Sequence, residues 1–162
     1  MLCLHLLRPL AEGLARWRVG AGTEKPWLHN GRQLSRRHVA LERGGGVANT
    51  PLVVAPIRPD AAFTTGISSF PVNHSASLHK HNCDEQVTLL SGRTEAEIDG
   101  ETTELRTYDM NYVTDGVEYC FRNMVDEPMV ILWIYGSNKV TCTFTGSDEE
   151  IPHVAEADML VR

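Results

Sequence analysis

The segment Arg93–Asp99 alternates strictly between two kinds of side chain and is followed at once by the dipeptide Asp99-Gly100. Thr94, Ala96 and Ile98 would share one side of an extended strand, and the residues between them are charged. Asp-Gly after such a segment is a strong hairpin signal, because a type I′ turn needs two consecutive residues at positive φ. The chain is therefore expected to contain antiparallel strands joined by tight turns.

Further short strand patterns occur from Leu52 onward. Residues 52–54 are a candidate first strand, Met129–Tyr135 is almost continuously apolar, and Val140–Phe144 alternates again. Thirteen glycines and eight prolines supply turns, and no segment after residue 46 has a convincing helical period. Eight or more short strands predict an all-β sandwich or barrel.

Composition and charge divide the chain into an extension and a folded domain. The 162 residues are 42% hydrophobic, which is enough for one packed core. Residues 1–46 contain eight Lys/Arg and three Asp/Glu, whereas the remainder contains seven and eighteen. Residues 1–46 are predicted to be a loosely ordered, non-catalytic extension that ends at a Gly44–Gly46 hinge, followed by a barrel at 47–150 and a tail at 151–162. An acidic barrel would repel phosphate backbones, so no nucleic-acid partner is expected.

Cysteine spacing and hydropathy indicate the compartment. The four cysteines show no C-x-x-C spacing, which argues against a zinc knuckle or a disulfide framework. No apolar run approaches the ~20 residues that a membrane helix needs. We expect a reduced, cytoplasmic protein without a membrane partner.

Two histidines and a glutamate are the candidate metal ligands. His79 and His81 are two residues apart, so in a strand both imidazoles point to the same face. Glu85 follows four residues later, across a predicted bend. Two imidazoles and one carboxylate suit one divalent first-row metal ion, whether iron, manganese, nickel or zinc, and leave positions open for a substrate.

The complete spacing is more specific than an isolated H-x-H. His79-x-His81, three residues, Glu85, six residues and Gly92 resemble the first motif of the cupin superfamily. The resemblance implies a small single-domain cupin, in which a double-stranded β-helix forms a jelly-roll barrel. Asn73 stands where the family motif begins with Gly, and asparagine can adopt a positive φ angle.

A second segment lies in the register of the second cupin motif. Gly116 and Asn123 match that motif, whereas Tyr108 replaces its first Gly and Thr114 replaces its Pro. Tyr119 replaces the third metal-binding histidine of the family. The resemblance covers residues 49–146 and implies a homodimer, because cupins commonly pair through their sheets.

Tyr119 has three possible roles. A phenol ligates only when it is deprotonated, which a ferric ion would favour. Tyr119 could be a fourth ligand, or an acid/base or hydrogen-bonding group beside a three-ligand metal. In the third case metal binding has been lost and the barrel binds a small molecule only.

The resemblance implies a mononuclear metal-dependent enzyme that acts on a small oxygen-rich metabolite. Dioxygenase, isomerase, lyase and dehydratase chemistry all occur in the family, and the fold does not choose between them. The alternative is a non-catalytic cupin module that binds a metabolite or a metal. Tyr112, Trp133 and Tyr135 could line the cavity mouth but are interpreted as ordinary barrel residues. Cys83 could reach the metal and His74 could share the face of His79, but both are interpreted as lying away from the metal.

Overall fold

A computed structural model describes residues 41–43 and 46–154, which form β-strands and no helix. The strands are β1 Leu41–Arg43, β2 Val47–Val53, β3 Thr64–Phe70, β4 His79–His81, β5 Glu85–Ser91, β6 Arg93–Ile98, β7 Glu101–Arg106, β8 Met110–Val113, β9 Tyr119–Arg122, β10 Met129–Tyr135, β11 Thr141–Phe144 and β12 Ile151–Pro152. A membrane-spanning helix is absent from this part of the chain.

The strands form two antiparallel six-stranded sheets. The first has the order β1-β2-β3-β10-β5-β8, and the second has the order β12-β11-β4-β9-β6-β7. Alternate residues of β3 and β10 are buried, as expected for strands that present one face to a shared core. The predicted all-β barrel is confirmed. One face of β10 is buried and the other is half-buried.

The sheets extend beyond the predicted barrel limits at both ends. Strand β1 pairs with β2, so the first sheet includes residues 41–43 from the segment predicted to be an extension. At the other end β12 pairs with β11, inside the segment predicted to be a tail. Strands of two or three residues are too short to show an alternating pattern. The predictions for residues 1–40 fall outside the described residues.

The hairpin predicted at Asp99-Gly100 is present. Strands β6 and β7 pair from Arg93–Arg106 to Ile98–Glu101, and the two turn residues have φ angles of 51° and 76°. Thr94 and Ala96 are buried, whereas Arg93 is exposed. The local alternation therefore specified both the register and the buried face.

Replacing Gly100 by alanine is expected to lower the free energy of unfolding by about 1 kcal/mol, because a Cβ disfavours the left-handed backbone. A Cβ at Gly100 would meet no other atom, so the cost would be conformational. Gly136→Ala is the control, since its Cβ would make only an ordinary 3.7 Å contact. Urea denaturation of both variants checks this; equal stability of Gly100→Ala and the unmodified chain would contradict it.

Two non-glycine residues occupy glycine positions of the cupin motifs with the required backbone. Asn73 has a φ angle of 60°, and Tyr108 has a φ angle of 76°. Asn123 matches the family motif and is a structural residue here. Its buried amide donates to the carbonyls of Phe70, Pro71 and Glu127 at 2.8–3.2 Å, which anchors the loop before β10.

Candidate metal centre

A cavity of about 230 Å³ lies between the two sheets. Strands β2, β3, β5 and β10 line it from the first sheet, and β4, β9, β11 and β12 from the second. Of the predicted site residues, His79, Glu85 and Tyr119 line the cavity. His81 is buried immediately beside it, with its ring 5.0 Å from that of His79 and 5.9 Å from that of Tyr119.

Strand β4 orients both histidines. Lys80 between them is exposed, as the alternation of a strand requires. The Nδ1 atom of His79 lies 2.6 Å from the carbonyl oxygen of Ser77, and that of His81 lies 2.7 Å from that of Thr141. A carbonyl only accepts hydrogen bonds, so each Nδ1 carries the proton and each Nε2 keeps its lone pair.

Burial keeps both imidazoles neutral. It lowers the pKa of His79, and it lowers the pKa of His81 to about 4 with a smaller contribution from the charge of His79. A neutral imidazole with Nε2 unprotonated is the form that binds a metal. The fixed Nδ1 hydrogen bonds resemble the second-layer contacts that orient metal-binding histidines in general.

Glu85 begins β5 and is 3% exposed. The hydroxyl of Tyr119 donates a hydrogen bond to its carboxyl group. Burial raises the pKa of Glu85 to about 8, and hydrogen bonds from Tyr119 and Tyr135 oppose that rise only in part. Burial and the nearby carboxylate also raise the pKa of both phenols well above the usual value. At neutral pH the phenols are therefore protonated.

Cys142 is a donor that the sequence analysis did not identify. It pairs directly with His81 across β4 and β11, so both side chains point to the same face. Its Sγ atom and one ring nitrogen each from His79 and His81 lie within 4.8 Å of one another. The alternation of Val140–Phe144 was visible in the sequence, but nothing local shows which strand lies beside β4.

His153 is the second residue that was missed. Its ring lies 5.1 Å from His81, 4.8 Å from Tyr135 and 5.1 Å from Trp133, measured between ring centroids. It lines the cavity because β12 places Ile151 opposite Cys142 and His153 two residues further on the same side. Nothing in the sequence of the predicted tail indicated that His153 would reach the cavity.

Several other residues can now be placed. Trp133 and Tyr135 line the cavity. The indole of Trp133 donates to Ser68 Oγ, and the hydroxyl of Tyr135 lies 3.1 Å from His81 Nε2, so both residues do more than pack the barrel. Tyr112 is exposed and donates to Asp84. Cys83 is half-buried outside the cavity lining, and burial with nearby acidic groups raises its pKa to about 11.

The donor set fits a first-row metal ion. Two neutral imidazoles have unprotonated Nε2 atoms, of which that of His81 lies 3.1 Å from the Tyr135 hydroxyl, and the thiol of Cys142 lies close to both rings. The buried carboxyl of Glu85 has phenols as its hydrogen-bonding partners, and no described Lys, Arg or His forms a salt bridge with it. A cation in this cavity would offset the cost of ionising that carboxyl.

Comparison with known proteins supports the assignment of the fold. Residues 66–135 match the family described as "Cupin domain". No match was found among curated proteins. The solved structures that resemble the chain include an oxalate decarboxylase from Lactobacillus farciminis in complex with formate, with a TM-score of 0.61 and 13% identity. The alignment covers 66% of this chain but only 33% of that enzyme.

Two shorter proteins are similar over most of their length. An RmlC-like cupin from Shewanella frigidimarina has a TM-score of 0.55 and 14% identity over 64% of this chain and 86% of its own. KdgF from Halomonas sp. has a TM-score of 0.53 and 15% identity over 64% and 90%. The alignment with the cupin domain of Cnp3 from Schizosaccharomyces pombe covers 64% of that chain. The motif resemblance is confirmed: residues 66–135 form a cupin domain, and the paired sheets around them have the cupin fold.

Proposed function

We propose that this chain is a mononuclear metal-dependent enzyme acting on a small, oxygen-rich metabolite. The observation that carries the proposal is the approach of three donor atoms, from His79, His81 and Cys142, to within 4.8 Å of one another beside the cavity. The cavity volume of about 230 Å³ restricts the substrate to a small molecule.

His79 and His81 would hold the metal through Nε2, and the Cys142 thiolate would be the third donor. The sequence-based prediction gave the third position to Glu85, and variants of both residues distinguish the two arrangements, as described in the Discussion. Iron, manganese, nickel and zinc all accept imidazole nitrogen. The bound ion would supply Lewis acidity towards an oxygen atom of the substrate.

Glu85 and Tyr119 are the groups that would hold and transfer protons. Burial raises the pKa of Glu85 in the metal-free fold, and a bound cation would favour its ionised form, in which the carboxylate can accept a proton from a bound molecule. Tyr119 is protonated and hydrogen-bonded to Glu85, which supports the role of hydrogen-bond donor among its three possible roles. Both residues line the cavity and can reach a bound molecule.

A non-catalytic binding module is the second candidate. It is favoured by one observation, that the phenol of Tyr119 occupies the motif position of the third histidine and is bonded to Glu85. Elemental analysis of protein purified without added metal separates the candidates. A transition-metal content below about a tenth of an equivalent, with no uptake on reconstitution, would favour the module.

Replacing Tyr119 by phenylalanine should leave the metal content unchanged and slow turnover by ~10²–10⁴-fold, the usual contribution of a proton-transfer group. The substrate would come from a metabolite screen read by oxygen consumption and by metabolite depletion. Tyr112→Phe is the matched control, because that phenol lies outside the cavity lining. Unchanged turnover in Tyr119→Phe, or loss of a visible charge-transfer band from bound ferric iron, would contradict this role.

A further inference from the structure

Eight of the eighteen described side chains that line the cavity carry rings. Both sheets and the residue after β12 contribute them, and most are buried. The rings that line the cavity are those of Phe70, His79, Tyr119, Phe121, Trp133, Tyr135, Phe144 and His153. The faces of these rings are flat, and they pack best against another flat group.

The largest ring is held in a fixed position. Trp133 lies against Gly66 on the neighbouring strand, where an added Cβ would come within 2.2 Å of the indole. The indole Nε1 donates to Ser68 Oγ at 2.9 Å. Packing and a hydrogen bond thus fix the plane of the indole before any ligand enters, which lowers the entropic cost of binding.

His153 closes the wall from the second sheet. Its ring meets Trp133 at 86° and Tyr135 at 64°, both in edge-to-face arrangement. Trp133, Tyr135 and His153, here called the ring wall, therefore bring together β10 and the residue after β12. The C-terminal strand β12 contributes to this binding surface.

The polar lining of the cavity is almost uncharged. No Lys, Arg or Asp is among the described residues that line it, and Glu85 is the one carboxyl group. Uncharged hydrogen-bonding groups come from Asn49, Ser68, Ser75 and Ser77. Such a lining supplies hydrogen bonds to hydroxyl or carbonyl groups but no side-chain cation for a small dianion.

The volume suits one ring. A cavity of about 150 Å³ is sufficient to hold benzene. The volume of about 230 Å³ leaves room for one six-membered ring with a few oxygen substituents.

We infer that the ligand of this cavity is a small, uncharged, planar ring bearing hydroxyl or carbonyl groups, and that the ring wall selects it. This inference rests on the proposed function and names the substrate class for it. His153 acts as a specificity-determining residue through its ring.

Three probes test the inference on the full-length chain after metal removal. Catechol is planar and uncharged, cis-cyclohexane-1,2-diol has the same two oxygens on a puckered ring, and oxalate is a small dianion. Calorimetric or NMR titration should show catechol binding at least about tenfold more tightly than either of the others, because only a flat ring stacks on the wall. A preference for catechol below tenfold over either probe would overturn the inference.

Variants of His153 test whether its ring is responsible for the preference for catechol. His153→Ala should weaken catechol binding by about fivefold, whereas His153→Phe should keep the affinity within twofold, because the ring is retained. His74→Ala is the matched control, since this imidazole is absent from the cavity lining. Unchanged affinity in His153→Ala, or equal losses in the Ala and Phe variants, would exclude a role for the ring.

Metal analysis of the same preparations, before metal removal and after reconstitution, separates this inference from the proposed function. Metal uptake without a preference for catechol would overturn the ring-selective site and leave the metalloenzyme proposal standing. A preference for catechol in a protein that takes up no metal would overturn the metalloenzyme proposal and support the ring wall alone.

Discussion

We expect replacement of His81 by alanine to leave a folded barrel that no longer retains metal. One of the two imidazoles is lost, and a ligand or its supporting contact typically accounts for a 10–100-fold or greater change in metal affinity. Inductively coupled plasma mass spectrometry of the dialysed protein, with a competition titration for affinity, measures the effect. Lys80→Ala is the matched control, because Lys80 lies between the histidines and is exposed. Full metal occupancy in His81→Ala would show that the ligand assignment is wrong.

The third donor is decided by a second pair of variants. Cys142→Ser should weaken metal binding by at least about tenfold, because it removes the sulfur that lies within 4.8 Å of the imidazole nitrogens. Glu85→Gln keeps the shape of the side chain and should weaken binding less than Cys142→Ser. The opposite order would return the third position to the carboxylate of Glu85.

The metal-free protein should lose about 2 kcal/mol of its free energy of unfolding between pH 6.5 and pH 8. Burial raises the pKa of Glu85 from 4.5 to about 8, so the folded state holds a proton that the unfolded chain has released. Stability from this group is complete below pH 4.5 and is lost as the pH rises towards 8. Each pH unit in that range costs about 1.4 kcal/mol.

His81 has the opposite dependence at lower pH. Burial lowers its pKa from 6.5 to about 4, so its contribution is present above pH 6.5 and is lost as the pH falls through 4. The two contributions to the free energy of unfolding offset each other between pH 4.5 and 6.5. Above pH 6.5, of these two residues, only Glu85 makes the free energy of unfolding depend on pH.

Urea denaturation of EDTA-treated protein at half-unit pH steps measures this loss. Glu85→Gln should have a flat profile from pH 6.5 to 8, because its side chain does not ionise. Asp84→Asn is the control: hydrogen bonds from Tyr112 and the Asp115 backbone lower the pKa of Asp84 below 3.8, outside this range. A flat profile for the unmodified chain would show that Glu85 is ionised in the metal-free fold.

Features that depend on neighbours along the chain were predictable from the sequence. Alternation over Arg93–Asp99 and the Asp99-Gly100 turn determined the β6–β7 hairpin, because strand facing and turn geometry are local properties. The same rule placed His79 and His81 on one face. The spacing of the motif residues resembles that of the cupins, and this resemblance implied that Glu85 and Tyr119 lie beside the histidines.

The distant strands that lie beside β4 could be identified only from the three-dimensional fold. Cys142 is more than sixty residues from His79 in sequence and joins the site because β11 pairs with β4. His153 reaches the cavity through a two-residue strand whose pattern is too short to predict. The contact between Tyr119 and Glu85 likewise joins the two sheets. Pairing of remote strands depends on how the whole core packs. For this reason the fold and the shared face of the two histidines were predictable, whereas the approach of Cys142 and the ring wall were not.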